Sequence, residues 1–170
     1  LCKGNTMTQT EAINKMLGYI GSHPVDNYLA SNNPEIARAL VLLEEKLNSI
    51  QRQGYWFNTF YNVTYYPDNN GNIVVSSGDV NDLFVKGRPE LQLINYTLVD
   101  TKTNSITFTE PVVADYVIRE YEFDNCPKLV RELATYMAAE EFVIMELEDT
   151  QRAQHLRQKW ASLHLELQRE

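Results

Sequence analysis

The chain has 170 residues, enough for one domain with a sizeable core, or for one domain carrying an insert. An apolar fraction of 44% and a charged fraction of 22% are ordinary for a soluble globular protein, and no run approaches the roughly 18 apolar residues of a membrane span. The net charge of −8 excludes a chain-wide cationic footprint for nucleic acid.

The first residues, "LCKGNTMTQT", hold no apolar core of the signal-peptide kind, so no secretion signal is expected. Thr8-Gln9-Thr10-Glu11 is a capping-box pattern, in which the hydroxyl and the carboxylate each satisfy a backbone N–H. It predicts a helix with Ile13, Met16, Leu17 and Ile20 on one face, stopped by Gly21. A second helix follows a proline turn. Asn33 caps it, Pro34 takes the first position, and Ile36, Leu40, Leu43, Leu47 and Ile50 form one stripe. Gly54 stands where a left-handed cap residue belongs.

Tyr55, Trp56 and Phe57 come directly after that glycine and are expected to open a strand. Gly54, Trp56 and Phe57 thus mark a structural junction between a helical part and a β-rich part. The abrupt change of period predicts Trp56 buried there as core. Pro67 to Asn72 is a turn, "NIVVS" a second strand, and residues 76–90 an irregular connection. The segments "LQLINYTLVD", "SITFTEP" and "DYVIREYEF" are three further strand candidates. Residues 68–90 carry few large apolar groups, which predicts a segment mobile in the free protein and ordered by a neighbour.

Asp124 to Pro127 leads into a third helix with Val130, Leu133, Met137 and Ile144 inward. A fourth runs from about Asp149 with Ala153, Leu156, Trp160, Leu163 and Leu167 as its stripe; its last turn, "LQRE", is expected to be loose. The fold class is α+β: an antiparallel bundle of four main helices with a β-rich insert between the second and third. Residues 1–170 form one domain, with the helical part at 8–54 and 126–170 and the insert at 55–125.

Few residues suggest chemistry. Cys2 and Cys126 fit reduced thiols better than a disulfide framework. His23, His155 and His164 lack ligand spacing, and there is no Walker loop, GxGxxG or GxSxG, so no metal, cofactor or catalytic residue is expected. Glu140-Glu141 and Glu146-Glu148 read as a solvated helix face. The aromatic triplet reads as core packing, since no Lys or Arg cluster accompanies it as on a base-stacking platform. Acidity concentrates in residues 55–126, with ten acids and four bases.

The segments "EAINKMLGYIGSHPV" (11–25) and "NSIQRQGYWFN" (48–58) resemble the tail tubular protein A family of short-tailed bacteriophages, which carries an IGExPV-like turn and an RGWxFN-like junction in this order. "YPDNNGNIVVSSGDVNDL" (66–83), "TLVDTKTNSITFTEPV" (97–112) and "YEFDNCPKLVRELATYMAAEEF" (121–142) are similar to the family's later elements. Each motif is weak alone; five in the correct order are specific. Tyr55-Trp56 stands where the family often has Gly-Trp, and His23 replaces an acidic residue. The resemblance implies a head-to-tail adaptor, or gatekeeper, of the virion tail. Such adaptors form a ring, usually dodecameric, that joins the portal protein to a tail nozzle protein of the tail tubular protein B type. Assembly takes place in the host bacterial cytoplasm, and DNA passes through without sequence-specific binding. No membrane is involved. By the same resemblance Leu165, Gln168 and Arg169 are candidate contacts to the portal, while the turn-rich, weakly apolar segment 68–90 makes Asn69 and Asn70 candidates for contact with a neighbour or the nozzle. The rival expectation is a tail-associated glycan hydrolase, which needs two carboxyls about 5–10 Å apart in a cleft.

Overall fold

A computed structural model describes residues 6–75, 80 and 82–169. In chain order the elements are α1 (Gln9–Ile20), α2 (Pro34–Gln51), β1 (Thr59–Tyr65), β2 (Asp82–Phe84), β3 (Leu91–Ile94), β4 (Thr97–Asp100), β5 (Val112–Ile118), α3 (Lys128–Leu147) and α4 (Thr150–Leu167). The described residues are mixed α+β, with four α-helices and antiparallel strands. The chain divides into two compact units. The first comprises residues up to Ile50 and from Glu122 onward; the second is Gln51–Tyr121.

In the first unit the helix starts follow local chemistry. Thr8 and Glu11 form the full capping box on α1, Asn33 Oδ1 accepts from the Glu35 N–H at 2.9 Å, and Asp149 Oδ1 accepts from the Arg152 N–H at 2.9 Å. Proline precedes α3, and its first turns are tied down by Arg131. That guanidinium donates to three carbonyls, those of Met7, Asp124 and Cys126. The core includes Ile13, Met16, Leu17, Leu43, Leu133, Phe142 and Leu156. Alanines at 134, 138 and 139 are fully buried, which lets neighbouring helices approach α3 closely. Ion pairs fix helix sense: Arg38 meets Glu146 and Lys46 meets Glu141, so α2 and α3 run in opposite directions. Only Glu148 and Asp149 separate α3 from α4, and Glu140 in the second half of α3 meets Arg157 and Trp160 of α4, so α4 turns back along α3.

The second unit holds an antiparallel sheet in the order β1-β5-β2 and a hairpin of β3 and β4. Ile73, Val75, Leu83, Val85, Leu91, Leu98, Val112, Ala114 and Val117 build its own core. This corrects the expectation that residues 68–90, with few large apolar groups, contribute little core. Ile73, Val75, Val80, Leu83 and Val85 are short apolar residues spread along an irregular path, and all point inward. Residues 76–79 and 81, with Gly78 among them, lie outside the described residues.

Several expected boundaries move. The described residues of "NIVVS", 72–75, make isolated bridges, Asn72 to Thr107 and Val74 to Thr97, rather than a strand. "LQLINYTLVD" is two strands, because Asn95 and Tyr96 both have positive φ and make a tight turn matched to strand twist. "SITFTEP" contributes single bridges at Ser105 and Thr107. β5 begins and ends earlier than "DYVIREYEF" suggests, and a 3-10 turn occupies Phe123–Asn125. Leu40 and Met137 are half-buried. Ile144, expected inside, is 41% exposed; the inward face of α3 is carried by Ala138, Ala139, Phe142 and Val143 instead. Cys126 is a buried thiol whose Sγ donates to the Glu122 carbonyl at 3.5 Å. Cys2 lies outside the described residues.

Candidate functional site

The junction is built around two fully buried amides, Gln51 and Asn58. Gln51 is the last residue of α2. Its Nε2 donates to the Tyr121 carbonyl at 2.9 Å, and its Oε1 accepts from the Tyr121 N–H at 2.7 Å. Asn58 Nδ2 donates to the carbonyls of Gln51 and Arg119, each at 2.8 Å, while Oδ1 accepts from the Tyr55 N–H at 2.9 Å. The first and last residues of the second unit are thereby clasped together. Buried amides are tolerated because their polar atoms have partners.

This clasp changes the reading of the aromatic triplet. The Asn58 and Thr59 N–H groups both donate to the Tyr55 carbonyl, so residues 55–58 form a turn and the strand starts only at Thr59. Gly54 does adopt positive φ, 71°. A Cβ there would sit 2.8 Å from Ile118 Cδ1, so side-chain packing also favours glycine. Trp56 is 57% exposed, which corrects its assignment to the core. The turn lifts it outward while Phe57 stays half-buried, stacked on Tyr55 at 6.3 Å and edge-on to Trp56 at 5.9 Å. The indole is presented on a braced turn.

A second aromatic feature crosses the three-stranded sheet. Tyr61 on β1 lies opposite Tyr116 on β5, which lies opposite Phe84 on β2. The rings of Phe84 and Tyr116 stack at 5.2 Å, and Tyr61 and Phe84 are exposed. Single-sequence reading gave no signal for this row, because strand register decides it and Phe84 lies in a segment without clear alternation.

In the first unit, Glu140 is only 8% exposed, which corrects its reading as part of a solvated face. Its carboxylate accepts from Arg157 Nε at 2.8 Å and from Trp160 Nε1 at 2.5 Å. Glu141 pairs with Lys46 and Glu146 with Arg38. Three of the four carboxylates of the Glu140-Glu141 and Glu146-Glu148 pairs are thus engaged by cations, while Glu148 is the exposed residue that caps α3. Beside them, residues of α2, α3 and α4 line a groove of about 320 Å³, the apolar Met137, Ile144 and Trp160 together with the charged Lys46, Glu140, Glu141 and Arg157.

The expected partner contacts fall on separate units. Leu165, Gln168 and Arg169 are exposed at the end of α4. Between them Leu167 is 1% exposed, so the last turn is anchored rather than loose. Asn69 and Asn70 are exposed at the tip of a turn held by Asp68, whose carboxylate accepts from the Asn70 and Asn72 N–H groups at 2.8 and 2.9 Å. A polar cavity of about 350 Å³ in the second unit is lined by Arg88, Asp100, Thr103, Ser105, Thr107 and Glu110, among others. Backbone N–H donation from Thr103 is the main cause holding the Asp100 carboxyl below its usual range. Among the described residues, no group of three or more His, Cys, Asp or Glu is placed to hold a metal ion, and no helix is long and apolar enough to cross a membrane.

Exposed aromatic side chains held on braced backbone, and charged pairs beside a partly apolar groove, are features of an assembly surface. The model of the tail tubular protein family matches residues 10–168, so the chain belongs to that family and is a structural component of a bacteriophage tail. A comparison with curated proteins finds no match.

Proposed function

We propose that this chain is the head-to-tail adaptor of a short-tailed phage. It forms a dodecameric ring that seats on the portal protein and receives the tail nozzle protein, leaving a channel for DNA. The observation that carries the reading is the family match over residues 10–168, almost the whole chain. The motifs at 11–25 and 48–58 support the adaptor subtype by resemblance. The alternating directions of α2, α3 and α4 support an antiparallel helical bundle as the ring's structural part, with the β-rich insert as an attachment within a single adaptor domain. The subunit assembles in the host cytoplasm before joining the virion.

Acidity supports passage of DNA rather than retention. A cationic wall would gain affinity by releasing counterions from phosphates, whereas a chain of net charge −8 lacks that driving force. Leu165, Gln168 and Arg169 are the proposed portal contacts, and Asn69 and Asn70 the proposed nozzle contacts. The test is ordered reconstitution by co-sedimentation. The chain should bind purified portal, and the nozzle protein should bind portal only after the chain has bound. Nozzle binding to bare portal, with the chain indifferent to both, contradicts the adaptor role.

A further inference from the structure

We propose that Trp56 of one copy inserts into the groove between α2, α3 and α4 of a neighbouring copy, and that this knob-in-groove contact joins subunits head to tail. The proposal names the subunit contact of the ring described above and rests on that reading.

Both halves of the contact are built, exposed and chemically matched. Trp56 leaves most of its indole in solvent although a core position was expected of it, and its turn is braced by Asn58 and the stacked pair of Tyr55 and Phe57. Holding a large apolar ring in water on a rigid turn is unfavourable in a free subunit and favourable in an interface, because little side-chain freedom remains to be lost on docking. Tryptophan is also among the residues most enriched at interface hot spots.

The groove offers what an indole needs. Its volume, about 320 Å³, lies at the low end of ligand-sized cavities, roughly 300–1,000 Å³, and suits one aromatic side chain better than a peptide helix. Met137 supplies a thioether for a sulfur–aromatic contact, and Ile144 and Trp160 supply apolar walls. Lys46 and Arg157 also line the groove, and a cation there attracts the electron-rich face of a ring. The Glu141 carboxylate has acceptor capacity beyond its bond to Lys46 and can take the indole N–H. Knob and groove are different surfaces of the same chain. Contacts between unlike surfaces of identical subunits propagate from copy to copy, and close into a ring where the rotation between copies closes.

The test mixes two chains with one introduced cysteine each, Trp56→Cys and Ile144→Cys, both carrying Cys2→Ser and retaining only the buried Cys126 besides, and assembles them on portal before mild oxidation. A disulfide between the two variants links separate chains and gives a dimer band on a non-reducing gel. The proposal expects that band, and expects neither variant alone to give it. It also expects Trp56→Ala to weaken chain-to-chain association by at least about 30-fold, with the melting temperature unchanged and Trp56→Phe partly restoring assembly. Ring formation by Trp56→Ala at parental strength, with no dimer band, overturns this inference and leaves the adaptor reading standing. Cross-linking of the Ile144→Cys chain to portal instead assigns the groove to that partner and also overturns it. Absence of any ring on portal removes the adaptor reading and this contact together.

Discussion

Asn58 and Gln51 are joined where α2 ends. The side-chain amide of Asn58 donates to the Gln51 carbonyl at 2.8 Å, and both side chains are fully buried. Asn58→Ala removes two donors and one acceptor from a water-free site, with a cost of at least about 2 kcal/mol, measured from the urea midpoint. Asn58→Asp faces a carboxylate toward two carbonyls, which raises the carboxyl pKa. Its stability should therefore be greatest at low pH and fall as pH rises through that value. A midpoint for Asn58→Ala equal to that of the parent would show that the clasp contributes nothing.

The end of α4 separates packing from surface one residue at a time. Leu167→Ala should cost about 2–5 kcal/mol, because the side chain is 1% exposed. Gln168→Ala and Arg169→Ala should stay within about 0.5 kcal/mol. If all three have equal effects on thermal melting, the anchored last turn is wrong.

Glu140 tests how much a partly buried pair contributes. Removing one partner of a fully buried pair costs about 3–5 kcal/mol, because the other charge is stranded. Here the Arg157 side chain is 65% exposed and can hydrate once released, so Glu140→Ala should cost only about 1–2 kcal/mol. Glu140→Gln should cost less, since an amide oxygen still accepts from Trp160. A loss near 5 kcal/mol would show that Arg157 stays desolvated.

Burial pushes the Cys126 thiol up to about 11 from an ordinary value of 9.0. The folded state thus favours the neutral thiol, and the sign follows: its contribution is fully present below pH 9 and is lost as pH rises toward 11. At pH 8 the native thiol should react with iodoacetamide far more slowly than in urea. Equal rates would mean that Cys126 is not shielded.

Helix positions were legible because capping residues and stripes are local: Thr8 with Glu11, Asn33 with Pro34, and Asp149 announce their helices. The position of Gly54 was legible too, as its positive φ follows from where α2 stops. Trp56 was not, because Asn58 converts the expected strand into a turn through a side chain reaching carbonyls at Gln51 and Arg119, the latter 61 residues away. Nor was Glu140, whose burial depends on Arg157 and Trp160 on another helix. The row Tyr61–Tyr116–Phe84 arises from strand register alone. Long-range pairing leaves no periodic trace in one sequence.

The adaptor assignment is tested most directly by electron microscopy of purified phage tails, with the chain located by an antibody fragment or by fitting its two units separately. A ring of copies is expected at the portal-proximal end of the tail, between portal and nozzle. Density for the chain at the distal end of the tail, or in single copies along its side, would contradict it.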